Sequence, residues 1–145
     1  MRFGGWLRNV DLFDPGLFKM SPAEAVYIDP QHRRLLEITL KGKKRIGNVD
    51  KLSGVYVGIQ HMEYKGILEK CASGKSSYTS TSSSFAVAAG RISYLFSFTG
   101  PSMSIDTACS SALVSLSLGH IYTKTSGRTA ISDSVSMMLS SNTSM

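Results

Sequence analysis

Cys109 stands where a reactive thiol is most useful, at the junction between a strand pattern and a helix pattern. Gly100-Pro101 marks a turn, after which Met103, Ile105 and Thr107 alternate with smaller or polar residues at the period of a short strand. Beyond the cysteine, Ala112, Leu113, Leu116 and Ile121 recur at helical spacing, and Val114 and Leu118 widen the stripe into two covered faces. A thiol at such a helix start lies among main-chain N–H groups that lack intrahelical partners and at the positive end of the helix dipole. Both favour thiolate. The chemistry this permits is covalent acyl transfer, with a soft nucleophile at a sharp bend and an N–H beside it for an oxyanion. The competing reading of the same residue is a buried structural cysteine.

A nucleophile of this kind works with a base, and the chain has three histidines. His120 lies on the same helix pattern as Cys109, about 16 Å away at 1.5 Å per residue, and is expected to be structural. His32 falls in the first turn of an earlier helix pattern, which suits a cap or a surface role. His61 directly follows a strand pattern, and strand carboxyl ends face the ligand crevice in open α/β sheets. It is the one candidate stand-in for a base, in a stretch, Gln60-His61-Met62-Glu63-Tyr64, that reads on as loop. Cys71, in Lys70-Cys71-Ala72-Ser73, has no strand-to-helix context and reads as a bystander thiol.

The elements that must position Cys109 can be read in order. Residues 1–20 carry Phe3, Trp6, Leu7, Phe13, Leu17 and Phe18 among glycine and proline, the pattern of a loop-rich cover. Ser21-Pro22-Ala23-Glu24 starts a helix that runs to about Tyr27, with Ser21 as cap, Pro22 at the first helical position and Glu24 reaching back in a capping box. Asp29-Pro30 repeats the device ahead of Leu35, Leu36, Ile38 and Leu40, and Gly42 is expected to end that second helix. A strand is expected over Gly54–Gln60, a loop over 61–81 with its serine-rich centre at 73–77, and a helix around Phe85, Ala86, Ala88, Ala89 and Ile92. After a turn at Gly127, Ala130, Ile131, Val135, Met137, Met138 and Leu139 suggest a last strand, and Ser140-Ser141-Asn142-Thr143-Ser144 a closing loop.

Asp106-Thr107-Ala108-Cys109-Ser110-Ser111, with Gly100-Pro101-Ser102 ahead of it, resembles the nucleophile segment of β-ketoacyl synthases, the condensing domains of polyketide and fatty acid synthases. Further stretches resemble the family's signatures in the same order: Phe3-Gly4-Gly5-Trp6, Ser21-Pro22-Ala23-Glu24-Ala25, Asp29-Pro30-Gln31-His32-Arg33, Gly54-Val55-Tyr56-Val57-Gly58 and Ala88-Ala89-Gly90-Arg91-Ile92. The chain departs from that pattern at three places. His32 stands where relatives usually carry Gln, Lys41-Gly42-Lys43-Lys44-Arg45 replaces aromatic, Ala, Leu and Glu residues, and Ser132-Asp133-Ser134 replaces Ala-Gly-Gly. An Asp in a covered strand costs several kcal/mol unless it is hydrogen-bonded, so Asp133 needs a partner.

The resemblance implies a thiolase-like α/β fold, incomplete here: residues 1–145 correspond to part of an amino-terminal ketosynthase domain, with a mixed sheet and covering helices. It implies Cys109 as nucleophile, substrates carried on the phosphopantetheine of an acyl carrier protein, a homodimer, and condensation with a malonyl-type extender. No cofactor or metal is expected to bind directly. The family's two histidine motifs are absent from these residues, so the isolated chain is expected to be inactive in condensation and poorly soluble. The alternatives are a non-catalytic remnant that associates with a full-length ketosynthase, and a free-standing cysteine acyltransferase or hydrolase with His61 as base.

Size and charge agree with this class. A chain of 145 residues is long enough to bury about 68–70% of its unfolded surface. Its net charge of +6 is scattered apart from the run at Lys41–Arg45, which argues against nucleic acid and for a solvated helix end; a landing surface for an acidic carrier domain is the alternative. Two cysteines make no disulfide framework, and no apolar run reaches membrane-span length. A cytoplasmic location is expected, or an organelle if a targeting segment lies upstream.

Overall fold

The computed structural model describes residues 5, 7–61, 63–71 and 84–139. Phe3, Trp6, the serine-rich centre at 73–77 and the closing stretch 140–144 lie outside the described residues. After a 3₁₀ turn at Pro15–Phe18, the elements are α1 (Pro22–Tyr27), α2 (Pro30–Ile46), β1 (Gly54–Ile59), α3 (Tyr64–Cys71), α4 (Phe85–Phe96), β2 (Ser102–Ile105), α5 (Ser111–Ser126) and β3 (Ala130–Val135).

The three strands form a sheet of order β2-β1-β3. Over the described residues this sheet is parallel throughout rather than mixed, with Val55 opposite Ser102 on one side and Ile131 on the other. Every connection between its strands carries a helix, which is what parallel neighbours require. β1 is central and buried along its whole length. Its alternation sorts the two faces: Val55, Val57 and Ile59 join Leu35, Leu36, Ala88, Ala89 and Ile92 in the core under α2 and α4, while Tyr56 meets Tyr122 of α5 with ring centroids 6.1 Å apart.

The helix starts behave largely as their sequences dictate. Ser21 Oγ accepts the Glu24 N–H at 3.1 Å, and Asp29 Oδ1 accepts the Gln31 N–H at 2.8 Å. The capping box is left half made, because the Glu24 carboxylate turns to Arg91 of α4 at 3.3 Å instead of back to its own cap.

Three elements depart from expectation in where they begin or end. α2 runs through Gly42 to Ile46 and ends at Gly47, whose φ is 84°. One interior glycine costs only about 1 kcal/mol, less than the burial of Leu35, Leu36 and Thr39 supplies on the inner face, and Lys43 beyond it rests 5.6 Å from the Phe96 ring centroid and 5.7 Å from that of Phe98. The expected loop after β1 begins instead with α3, a short helix whose Leu68 is buried and whose first residue, Tyr64, donates its hydroxyl to the Val26 carbonyl at 2.7 Å. Cys71 therefore ends a helix. β3 stops at Val135, and the chain beyond is tied by side chains: Met137 N–H donates to Gln31 Oε1 at 3.1 Å and Leu139 N–H to Glu63 Oε2 at 2.8 Å.

α5 reverses the expected facing. Its buried stripe is Ser111, Ser115 and Gly119, while Leu113, Leu116 and Ile121 are 70%, 58% and 53% exposed. The reason lies in the sheet. A Cβ on Gly58 would sit 2.7 Å from the Ser111 carbonyl, and one on Gly119 would collide with Ser132 Oγ, so this helix rides too close for large side chains between it and the strands. Ser132, an outlier in the family pattern, uses that proximity: its hydroxyl donates to the Ser115 carbonyl at 3.1 Å. Asp133 points to the opposite face, where the Thr39 hydroxyl of α2 donates to Oδ2 at 3.2 Å. The strand is thus compatible with its Asp.

Candidate active site

The turn between β2 and α5 is held by its own polar side chains. Asp106 Oδ1 accepts the Ala108 N–H at 2.9 Å. Ser111 Oγ accepts the Thr107 N–H at 2.8 Å and donates to the Ala108 carbonyl at 2.7 Å. Ser110 Oγ donates to the Thr107 carbonyl at 2.7 Å. Together they hold Ala108 at φ 56°, a left-handed conformation that a non-glycine residue adopts only at a cost of about 1–3 kcal/mol. The consequence is a sharp elbow that carries Cys109 at its tip.

Cys109 is a free, exposed thiol. It precedes the first helical residue by two positions, with Ser110 as the N-cap residue, and Ser110 makes no side-chain cap. An exposed sulfur and main-chain N–H groups thus lie together at a helix N-terminus, the pairing that an attacking nucleophile and its developing oxyanion call for.

A cavity of about 170 Å³ opens beside the thiol, between the carboxyl ends of β1 and β3 and the start of α5. Gly58, Ala108 and Ala112 give it small walls, and Gln60, Ser134 and Ser136 give it polar ones. Its place beyond the strand ends is the one at which open α/β sheets hold ligands.

The histidines are not assembled around it. His61 is half-buried, contributes its main-chain carbonyl to Gln31 Nε2, and does not line the cavity, whose wall there is Gln60. His120 is exposed on α5. His32 is neither a cap nor a surface residue. It is 1% exposed, neither ring nitrogen has a hydrogen-bond partner, and burial, helped by the charge of Arg91, lowers its pKa to about 4. Asp29, one turn earlier, is wholly buried with Oδ2 unpartnered, and burial raises its pKa to about 6 against the pull of its hydrogen bonds to Gln31. No cluster of three His, Cys, Asp or Glu side chains forms among the described residues, and no helix there is long and apolar enough to cross a membrane.

Sequence reasoning reached Cys109 and missed the residues that build its elbow. The signal was present, since Asp-x-Ala spacing is that of an Asx turn and Thr107 and Ser111 are four residues apart, one helical turn. Gly58, which lets α5 approach, was legible only as a strand residue.

Residues 1–144 match the family model described as the amino-terminal domain of β-ketoacyl synthase. The spectinabilin polyketide synthase system protein NorA of Streptomyces orinoci is 42% identical over 123 residues, which cover 81% of this chain and 6% of that protein. The polyketide synthase GfsB of Streptomyces halstedii is 40% identical over 122 residues, which cover 81% of this chain and 2% of that protein. Among solved structures, the ketosynthase from module 6 of the bacillaene synthase of Bacillus subtilis superposes with a TM-score of 0.83 at 35% identity, covering 97% of this chain and 24% of that one. The oxazolomycin ketosynthase domain from Streptomyces albus gives a TM-score of 0.79 at 33% identity, covering 26% of its chain. The chain thus spans about a quarter of the solved ketosynthases and a small fraction of the curated synthases.

Proposed function

This chain belongs to the β-ketoacyl synthase family with the thiolase-like α/β fold, and from that premise we propose that Cys109 is the acyl-accepting nucleophile of a polyketide-type ketosynthase. The observation that carries the reading is the elbow, which holds an exposed thiol at a helix start and at the mouth of a cavity.

The Cys109 sulfur attacks the thioester carbonyl of an acyl group presented on the phosphopantetheine of an acyl carrier protein domain. The carbonyl oxygen becomes an oxyanion, which the Cys109 N–H can receive, and collapse expels the carrier thiolate to leave an acyl-enzyme. Decarboxylation of a malonyl-type extender releases carbon dioxide and a carbanion. The carbanion attacks the Cys109 thioester, a carbon–carbon bond forms, the carbon–sulfur bond breaks, and the thiolate returns. The histidine motifs that the family resemblance associates with that second step are absent from these 145 residues, so the residues by themselves are proposed not to condense. The working enzyme is proposed to be a homodimer.

The test is acylation of the intact protein by a butyryl N-acetylcysteamine thioester, read by peptide mass spectrometry. The adduct is expected on Cys109 and absent from the Cys109→Ala variant. An adduct confined to Cys71, or none, would overturn the assignment, and a β-ketoacyl product from the 145 residues alone would overturn their inability to condense. A second reading, a remnant that associates with a full-length ketosynthase, is favoured by the exposed Leu113, Leu116 and Ile121 of α5. Stable association that Cys109→Ala leaves intact, with no acylation of Cys109, would favour it.

A further inference from the structure

The ladder between β1 and β3 ends at the pair Ile59 and Val135. The next residue on each side, Gln60 and Ser136, lines the cavity beside Cys109. One position further out, both chains are taken up by a single side chain. Gln31 Nε2 donates to the His61 carbonyl, and Gln31 Oε1 accepts the Met137 N–H at 3.1 Å. Each of these two cavity residues is thus held between the end of the sheet behind it and a Gln31 bond ahead of it, and the amide stands in for a further rung between the two chains.

Gln31 is suited to this span and is itself fixed. It is wholly buried in the first turn of α2, where its main-chain N–H is held by Asp29 Oδ1 at 2.8 Å. An amide presents a donor and an acceptor at once, as a carbonyl on one chain and an N–H on the other require. Because Gln31 has no exposed surface, no segment packed on the outside can take over either bond. The elbow, by contrast, is held by Asp106, Ser110 and Ser111 of its own segment. Given Cys109 as the acyl acceptor, on which the assignment rests, we infer that Gln31 is a positioning residue for the acyl group. It does not line the cavity. It sets the spacing of the Gln60 and Ser136 walls, and so how well the acyl group is seated before attack, while the reactivity of the thiol is set by the elbow.

The test follows acylation of the intact protein by the butyryl N-acetylcysteamine thioester over a range of concentrations, which gives a half-saturating concentration and a maximal rate. Alkylation of Cys109 by iodoacetamide measures the bare thiol. Gln31→Met keeps the length and removes both bonds. It is expected to raise the half-saturating concentration about tenfold, and to leave the iodoacetamide rate within about twofold of wild type. Gln31→Glu supplies a readout that loss of packing would not move. Its carboxylate has no proton for the His61 carbonyl, whereas its protonated form donates there and accepts the Met137 N–H as the amide does. Burial and the neighbouring Asp29 favour the protonated form. Relative to wild type at the same pH, the half-saturating concentration of Gln31→Glu should be about tenfold higher near pH ~8 and within about threefold near pH ~5. Circular dichroism checks the fold of each variant; should Gln31→Met not fold, Gln31→Glu decides. An unchanged half-saturating concentration in Gln31→Met, an equal loss of iodoacetamide reactivity, or a Gln31→Glu ratio that does not fall with pH would each overturn the inference while leaving Cys109 as acyl acceptor. A wild type that takes no acyl group on Cys109 would overturn that reading, and the inference with it.

Discussion

Adding one methyl group at Gly58 tests how Cys109 is positioned. The Cβ of Gly58→Ala would lie 2.7 Å from both the carbonyl carbon and oxygen of Ser111 and 3.0 Å from the Ala112 nitrogen. These are main-chain atoms, so no side-chain rotation relieves the clash; α5 must lift from β1 by about 1 Å to reach ordinary contact near 3.5–4 Å. Gly58 does not sit in the left-handed region, so alanine meets no backbone strain and the whole loss is steric. Overpacking of this kind costs about 1–3 kcal/mol, which for a chain of this size is a fall in Tm of about 3–10 °C. The lift also moves the elbow, because Ser111 Oγ bonds both Thr107 and Ala108, and a displacement of about 1 Å at a nucleophile can cost up to about 100-fold in rate. Thermal unfolding followed by circular dichroism reads the first effect, and the rate of Cys109 acylation reads the second. A variant with unchanged Tm and unchanged acylation would refute the close seating of α5 on β1 as the device that places the thiol.

Three further outcomes are expected. Gly42→Ala, inside α2 with nothing within 4 Å of the new Cβ, should stabilise the protein by about 0.5–1 kcal/mol; a lower Tm would mean that the helix is broken there. Thr39→Val removes the donor to Asp133, whose pKa burial already raises, and should cost about 1–3 kcal/mol near neutral pH. That loss should shrink on acidification, as Asp133 takes up a proton, and urea unfolding that shows an equal loss at all pH values would contradict the pairing. The buried pair Asp29 and His32 should oppose each other in acid. His32, neutral in the fold with a pKa of about 4 against an ordinary 6.5, loses stability for the protein as pH falls from 6.5 to 4, by about 3 kcal/mol. Asp29, raised to about 6 from 3.8, works the other way: its folded form holds the proton more tightly, so stability rises by about 3 kcal/mol as pH falls through the same range. The wild type should therefore show a shallow dependence between pH 4 and 6.5, His32→Gln a stability that rises on acidification, and Asp29→Asn one that falls. Parallel pH profiles for the two variants would refute the opposition.

Features that depend on near neighbours along the chain were legible in the residues alone. Ser21 and Asp29 announce their helix starts because a cap bonds an N–H two or three residues away, and the alternation of Val55, Val57 and Ile59 announces a strand because period two needs no partner to be visible. Cys109 was found at a strand-to-helix junction for the same reason. Packing settled the rest. Whether Gly42 ends a helix depends on what Leu35, Leu36 and Thr39 gain by burial elsewhere, and whether Glu24 closes a capping box depends on Arg91, 67 residues away. The apolar stripe of α5 promised an inward face, yet the inward face is Ser111, Ser115 and Gly119, because the strands below offer Gly58 and Ser132 and leave no depth for leucine. His32 looked like a surface residue and is buried, and Asp133 looked like a misfit and has Thr39, 94 residues distant, as its donor. A sequence shows which side chains could be buried or paired; only the packed chain shows which surfaces are near enough to do it.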